Sequence, residues 1–439
     1  MEAKNPVYIV NLKERQERLA HVQQQFHGKT EFQVHIVEAI KNPIGAIGLW
    51  QTLQNIVQTV SGENMEYFIL CEDDHTFTFE YNKDFFFDCV REASCQGADL
   101  LVGGPSWVAS ILSVTDKLYW AESFTGLQFT VIFKKFYQSI LNASFTDNDG
   151  VDFKLGRLTQ DIFLIHPFIS TQRDFGYSDA TPKNNIQGRV EGLFVNCAES
   201  IRLVKHVSQH YRKNHSVVGI DNIEDIDYIT IPTYVINLPE RTERRDHILE
   251  QFANKSEFDI ILVEACKHEI GAVGLWNSIR KVIKMAIDND DDVIIICEDD
   301  HQFTSNYSKG YLLRNILQAS EQGVDYLSGG CSAFGSAVPI GKHLYWVNSL
   351  LATQFIILYK PFFSKILNEP FTDEVQADVF LSEITSNKMV MYPFISTQKD
   401  FGYSDVTRIH NLVDGVVTAL FERTNKRLSN IQQAYLNYY

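Results

Sequence analysis

Tyr67-Phe68-Ile69-Leu70-Cys71-Glu72-Asp73-Asp74-His75 sets an apolar run directly against three carboxylates. A short apolar run bounded by polar residues predicts a buried strand, here with charge at its carboxyl end. Adjacent carboxylates repel one another, and the rim of a sheet tolerates them only where a cation or strong donors neutralise them. Strand alternation sends the first and third acids to one side. For any single triplet a solvated turn is the plainer reading, because turns favour Asp. The same pattern returns, however, at Val293-Ile294-Ile295-Ile296-Cys297-Glu298-Asp299-Asp300-His301. The residues at 51–66 and 277–292 have drifted apart almost completely, while Cys-Glu-Asp-Asp-His is identical in both places. A merely solvated turn would have been free to drift as well.

The recurrence belongs to an internal duplication. Tyr8 matches Tyr234, Trp50 matches Trp276, Tyr119-Trp120 match Tyr345-Trp346, and Asp179 matches Asp405, each pair 226 residues apart as positions 8 and 234 are. The register holds over about 170 residues, a whole domain rather than a solenoid repeat of roughly 20–50 residues. The expected division is domain 1 at 6–180, a helix and linker at 181–231, domain 2 at 232–406, and a C-terminal helix at 407–439.

Within a copy, strand and helix patterns alternate. Val7 to Val10 and Phe32 to Val37 read as strands, Glu14 to Phe26 and Ile44 to Val60 as helices. Beyond the acidic strand, a helix is expected over Lys83 to Cys95 and a strand over Asp99 to Val102, stopping at Gly103-Gly104. Leu127 to Phe133 is strand-like, with short helices near 135–141 and 151–158. Such alternation implies an α/β fold whose first half is a parallel sheet, with ligands beyond the strands' carboxyl ends. Amphipathic helices follow each copy, through Val190, Phe194, Cys197, Ile201 and Val204, and through Val417, Phe421, Thr424, Leu428 and Ile431. The run from His210 to His215 reads as linker.

Apolar residues make up 45% of 439, enough for two or three cored domains. The formal net charge of −16 argues against a general nucleic-acid or anionic-membrane surface. No apolar run reaches the roughly 20 residues a membrane span needs. The opening residues lack a signal-peptide layout, and the 7 cysteines have no paired metal spacing, so a reduced, cytoplasmic setting is expected. Cys71 and Cys297 read as small core hydrophobes.

Carboxylates at a strand end suit a hard divalent ion that also grips phosphate oxygens. Such an ion neutralises charge on a departing diphosphate. Asp74 and Asp300 are the expected ligands of Mn²⁺ or Mg²⁺. Glu72, Asp73, Glu298 and Asp299 are expected on the ribose, the sugar or a second metal contact. The copies also share Asn-Leu-x-x-Arg-x-x-Arg, namely Asn11, Leu12, Arg15, Arg18 and Asn237, Leu238, Arg241, Arg244. These arginines are expected either to hold phosphate or to pair with Glu14 and Glu17. His75 and His301 read as ligands or as hydrogen-bonded core residues.

Taken together, these motifs resemble glycosyltransferase family 25, which includes lipopolysaccharide sugar transferases and collagen galactosyltransferases. The carrying residues are Val7 to Arg18, Glu72-Asp73-Asp74, Asp99 to Gly104, Val151-Asp152 and Pro167-Phe168-Ile169-Ser170-Thr171-Gln172. The resemblance implies two tandem GT-A-like (Rossmann-type) domains, a metal-dependent UDP-sugar donor, a glycan or protein-linked hydroxyl as acceptor, and inversion at the sugar carbon. It implies Asp152 and Asp378 as the base, with Asp147 and Asp373 as runners-up; an acid stabilising a helix N-terminus is the structural alternative. Gln172, Asp174 and Asp179, with Gln398, Asp400 and Asp405, would line the donor site or complete the metal shell. Gly45 to Trp50 and Gly271 to Trp276 depart from the family by lacking a Ser-His pair, and Gln128-Phe129 and Gln354-Phe355 stand where Ala-Tyr is commoner. Three alternatives remain beside this expectation. One is a non-catalytic tandem sugar- or nucleotide-binding module, and another is a chain with one active and one scaffold domain. The third, a haloacid-dehalogenase-type phosphatase, is disfavoured by Glu72 in the nucleophile position.

Overall fold

The computed structural model describes residues 5–63, 65–177, 186–214, 228–351, 353–371, 376–402 and 415–439. The chain divides into two compact units, residues 1–207 with 433–439, and residues 208–432. Each is built on one eight-stranded mixed sheet.

In unit 1 the order is β1 (Asn5–Asn11), α1 (Gln16–Phe26), β2 (Phe32–Glu38), α2 (Gly45–Gly62), β3 (Tyr67–Glu72), β4 (His75–Phe77) and α3 (Lys83–Cys95). Next come β5 (Leu100–Val102), β6 (Trp107–Val108), β7 (Ile111–Ser113), β8 (Leu118–Ala121), β9 (Phe124–Thr125) and β10 (Phe129–Phe133). The unit continues with α4 (Tyr137–Asn142), α5 (Val151–Leu158), β11 (Ile162–Ile165), β12 (Ser170–Gln172) and α6 (Arg189–Asn214). The sheet runs β2-β1-β3-β10-β5-β11-β8-β7. β2, β1 and β3 are parallel, as alternation implies, and β10 enters antiparallel between β3 and β5.

Unit 2 repeats this plan. Its first half holds β13 (Ile231–Asn237), α7 (Thr242–Phe252), β14 (Phe258–Glu264), α8 (Gly271–Asp288), β15 (Val293–Glu298), β16 (His301–Phe303) and α9 (Lys309–Glu321). Its second half holds β17 (Tyr326–Ser328), β18 (Ala333–Phe334), β19 (Ala337–Pro339), β20 (Leu344–Val347), β21 (Leu350–Leu351) and β22 (Phe355–Tyr359). It closes with α10 (Lys360–Asn368), α11 (Ala377–Glu383), β23 (Lys388–Met391), β24 (Ser396–Gln398) and α12 (Val416–Tyr438). Strand order is β14-β13-β15-β22-β17-β23-β20-β19. Even the register repeats: Val7 faces Ile69 as Thr233 faces Ile295, and Phe129 faces Cys71 as Phe355 faces Cys297.

The central strands are mostly apolar because both faces are covered. Phe68, Ile69, Leu70 and Cys71 have no exposed surface, nor do Ile294, Ile295 and Cys297. Each such side chain contributes about 1.5–3 kcal/mol of burial. α2 turns Trp50, Leu53, Ile56, Val57 and Val60 inward, and Trp50 stacks on Phe145 with centroids 5.0 Å apart. The Asn82 side chain accepts from the amides of Asp84 and Phe85 and so starts α3. After β5 the backbone must pass close to β12, and a Cβ on Gly104 would run into the Ser170 carbonyl. Gly330 stands in the same relation to Ser396.

Two boundaries differ from the sequence reading. α6 continues through Asn214, so residues 210–214 are helix and not linker. α1 begins at Gln16, which leaves Arg15 as its N-cap and not in its first turn. All seven cysteines are free thiols, with Cys71 and Cys297 buried. Among the described residues no helix is long and apolar enough to cross a membrane.

Candidate functional site

The three acids separate at the end of β3. Glu72 is its last residue, Asp73 and Asp74 make the turn, and β4 begins at His75. Asp73 turns inward. Its Oδ2 accepts from Asn11 Nδ2 at 2.9 Å, and its Oδ1 from Arg18 Nη1 at 3.1 Å. Arg15 approaches the same carboxylate at 3.7 Å. Unit 2 repeats the arrangement, with Asn237 at 2.9 Å and Arg244 at 3.2 Å from Asp299. Asn11, Arg18 and Asp73, expected on the nucleotide, are therefore bonded to one another and buried. Arg18 is no surface arginine, and its Nη2 also donates to the Tyr177 carbonyl at 2.8 Å. Glu14 pairs instead with Lys41. Leu12 and Leu238 are half-buried beside the shared asparagines.

Strand alternation turns Glu72 away from Asp73, and Asp74, in the turn, accepts from Arg18 Nη1 at its Oδ2 at 3.3 Å. The Oδ1 atoms of Asp74 and Asp300 are buried without a hydrogen-bond partner. Burial, then Asp73, pushes Asp74 up to about 7, against the pull of Arg18. Asp300 reaches about 7 through burial and then Asp299. Burial, then Asp74 and Asp152, holds Glu72 well above the carboxylate range. Glu298 is raised to about 8 by burial and then Asp300, with Asp378 adding to the effect. Asp152 and Asp378, each one residue into a helix, thus lie within electrostatic reach of the acidic turn. Burial raises both of them.

The β4–β12 ribbon brings Gln172 opposite His75, and Gln172 Nε2 donates to Glu72 Oε2 at 3.2 Å. Gln398 occupies the same register opposite His301. The Arg173 amide donates to the Asp74 carbonyl at 2.8 Å, tying ribbon to turn. His75 is a core residue. Its Nδ1 meets Ser170 Oγ at 2.8 Å, its ring stacks on Phe129, and burial holds it well below its ordinary range. His301 repeats this with Ser396 and Phe355. Asp174 and Asp400 are exposed and accept from the amides of Gly176 and Gly402, each at 2.8 Å, so they shape a turn. Asp147 is exposed in the loop before α5. Asp179, Asp373 and Asp405 lie outside the described residues.

Two contacts escape sequence reasoning. The Gly126 amide donates to Asp152 Oδ2 at 2.7 Å, from a backbone with φ of +108° that favours glycine. Thr353 Oγ1 donates to Glu298 Oε1 at 2.5 Å, where unit 1 has Leu127. That Leu-to-Thr difference between the copies was the available signal.

In unit 2 the strand ends open onto a cavity of about 460 Å³. Arg241, Lys267 and His268 line it together with Glu298, Asp299 and Asp300. Among the described residues, no group of three or more His, Cys, Asp or Glu is arranged to hold a metal ion. The unsatisfied carboxylate oxygen of Asp74 or Asp300, with Glu72 or Glu298 beside it, fits the other kind of hard-cation site. There, one or two carboxylates hold the ion and substrate phosphates and water complete its shell.

Sequence comparison finds no matching family model and no matching curated protein. Among solved structures, A197 from STIV overlaps at a TM-score of 0.28 with 11% identity, over 40% of this chain and 87% of that one. The apo form of UDP-glucose pyrophosphorylase overlaps at 0.25 with 11% identity, over 45% of this chain and 82% of that one. Overlaps this loose carry no argument about fold or chemistry.

Proposed function

We propose that the chain is a metal-dependent glycosyltransferase built from two GT-A-like units, moving a hexose from a UDP-sugar to a glycan or protein-linked hydroxyl with inversion. The observation that carries this reading is the carboxyl cluster of Glu72, Asp74 and Asp152, repeated as Glu298, Asp300 and Asp378. Burial raises all three in unit 1, Asp73 adds to the effect on Asp74, and Asp74 and Asp152 add to that on Glu72, which disfavours their charged forms in the absence of a cation. Asp74 and Asp300, with Glu72 and Glu298 beside them, would hold Mn²⁺ or Mg²⁺. When bound, that ion supplies charge neutralisation for the leaving diphosphate.

The chain's own residues do the rest. Asp152, held by the Gly126 amide, takes the acceptor hydroxyl's proton as its oxygen bonds to the anomeric carbon. The bond from that carbon to the diphosphate breaks on the opposite side, which inverts the centre. A raised pKa suits Asp152 to this, because a base works best with a pKa near the working pH. Gln172 orients Glu72, and Arg18 with Asn11 fixes the turn by holding Asp73.

The second reading is a tandem nucleotide- or sugar-binding module without turnover. A panel of UDP-sugars assayed for UDP release with and without Mn²⁺ separates the two. The transferase reading expects Mn²⁺-dependent release with at least one donor, abolished by Asp74→Ala combined with Asp300→Ala. Metal-dependent donor binding without release favours the binding module. Full activity in the double variant would sink the proposal.

A further inference from the structure

The two acidic turns share a backbone and differ in which side chain holds the glutamate. Phe129 faces Cys71 as Phe355 faces Cys297. The Glu72 amide donates to the Gln128 carbonyl at 3.2 Å, and the Glu298 amide to the Gln354 carbonyl at 3.1 Å. The ribbon glutamine keeps its position too, Gln172 opposite His75 and Gln398 opposite His301. The side chains nonetheless bond differently. In unit 1, Gln172 Nε2 donates to Glu72 Oε2 at 3.2 Å, and residue 127 is a buried leucine. In unit 2 the matching residue, Thr353, donates its Oγ1 to Glu298 Oε1 at 2.5 Å. Gln398 is half-buried, and among the described residues its carboxamide makes no hydrogen bond. Unit 1 builds the same turn with leucine, so the fold does not require the threonine.

The consequence follows from the hydrogen-bonding capacity of these groups. A carboxamide bonded to its neighbouring carboxylate has given up a donor that a ligand could use. One left unbonded offers both a donor and an acceptor, here beside a carboxylate already fixed by a hydroxyl. Neighbouring hydroxyls of a hexose each donate and accept, and so match a carboxamide and a carboxylate side by side. Thr353 is 4% exposed and Leu127 1%, so neither touches a ligand itself. We propose that Thr353 is a positioning residue of unit 2: it fixes Glu298 and leaves Gln398 to bind hydroxyls of the donor's hexose. Unit 1, with Leu127 in that place, commits Gln172 to Glu72 and grips the hexose less. The assignment to a UDP-linked hexose rests on the transfer chemistry proposed above.

The test uses the full-length chain carrying Asp74→Ala, so that metal-dependent binding is read from unit 2. UDP, UDP-glucose and UDP-galactose are titrated by isothermal calorimetry with Mn²⁺ present, and UDP release is followed on the same samples. At least one UDP-hexose is expected to bind more tightly than UDP. Thr353→Val is expected to reduce that advantage about tenfold while UDP binds as before, and Thr353→Ser to restore it. Gln398→Leu leaves the bond from Thr353 to Glu298 in place and is expected to give the same loss. Gln398 is only half-buried, so this variant keeps the test open should Thr353→Val fail to fold. In a chain carrying Asp300→Ala instead, Leu127→Thr is expected to strengthen UDP-hexose binding by unit 1. Equal weakening of UDP and UDP-hexose by Thr353→Val makes the threonine structural and overturns the inference. So does an advantage unmoved by both Thr353→Val and Gln398→Leu, or UDP-hexoses that bind no more tightly than UDP; UDP release in those samples leaves the transfer reading standing. Thr353-dependent UDP-hexose binding without any UDP release overturns the transfer reading and keeps the subsite. Binding of neither UDP-hexose overturns both.

Discussion

At the scale of the residue, the acids of one turn have been given opposite tasks. Asp73 is consumed internally, and Asp74 is left with an unsatisfied oxygen. Removing Arg18 takes the nearest cation from buried Asp73 and leaves it Asn11 and the more distant Arg15, so Arg18→Ala is expected to destabilise unit 1 by on the order of 3 kcal/mol. Differential scanning calorimetry reads this as an earlier transition; an unshifted thermogram contradicts it. The raised acids predict an unusual pH dependence. With pKa values of about 7 for Asp74 and Asp300 and about 8 for Glu298, the folded chain keeps protons that the unfolded chain has released. Their contribution to metal-free stability is fully present below about pH 4, is lost as pH rises through about 7 and 8, and between about 6.5 and 8.5 the remaining fall is on the order of 3 kcal/mol. The depressed His75 and His301 act below that window, where the unfolded chain gains their protons. Asp74→Asn with Asp300→Asn should flatten the fall, partly by lowering Glu298 as well. Urea midpoints at both ends of the window check this, and a midpoint rising with pH would refute it. The inward role of Asp73 was not legible in the sequence, because its partners Asn11 and Arg18 lie 62 and 55 positions away.

At the scale of the element, periodicity served well where one face of a segment is buried. α3 occupies Lys83–Cys95 and α5 Val151–Leu158, both where the pattern placed them. The pattern failed where polar residues continue a helix. The His210 to Asn214 end of α6 reads as linker because only Tyr211 interrupts its polar run. The short β6–β9 ribbon and its grip on Asp152 were equally invisible, since two-residue strands leave no periodicity. Close backbone approach gives the sharpest element-level prediction. Gly104→Ala would press a methyl into the β12 carbonyl at Ser170, with an expected cost of about 1–3 kcal/mol. Because β12 also carries Gln172 to Glu72, the same change should lower metal-dependent UDP release. Parent-like stability together with parent-like release would contradict the placement.

At the scale of the whole molecule, duplication was the feature most legible in the sequence, because a constant offset survives divergence of the residues between. Which copy does which work was not legible, because both carry the same acids at the same spacing. Both units keep the acidic turn, but Trp107 and Phe153 of unit 1 are Ala333 and Val379 in unit 2, and Glu298 has a threonine donor where unit 1 has Leu127. Asp74→Ala and Asp300→Ala, assayed one at a time for Mn²⁺-dependent UDP release, are expected to show which unit works: loss from one change alone assigns the activity to that unit. Equal loss from either change would mean that the units are interchangeable.

Two sheets of identical strand order and register in one polypeptide create a sorting problem during biogenesis. A strand from one copy finds a geometrically acceptable slot in the other, the route by which tandem domains misassemble through strand exchange. Discrimination falls to the helices, where Gln54 reaches the Ile140 carbonyl in one copy and Arg280 the Leu367 carbonyl in the other. The divergence of α2 from α8 would then act as an address label, and synthesis from the ribosome would help by letting the first copy close before the second emerges.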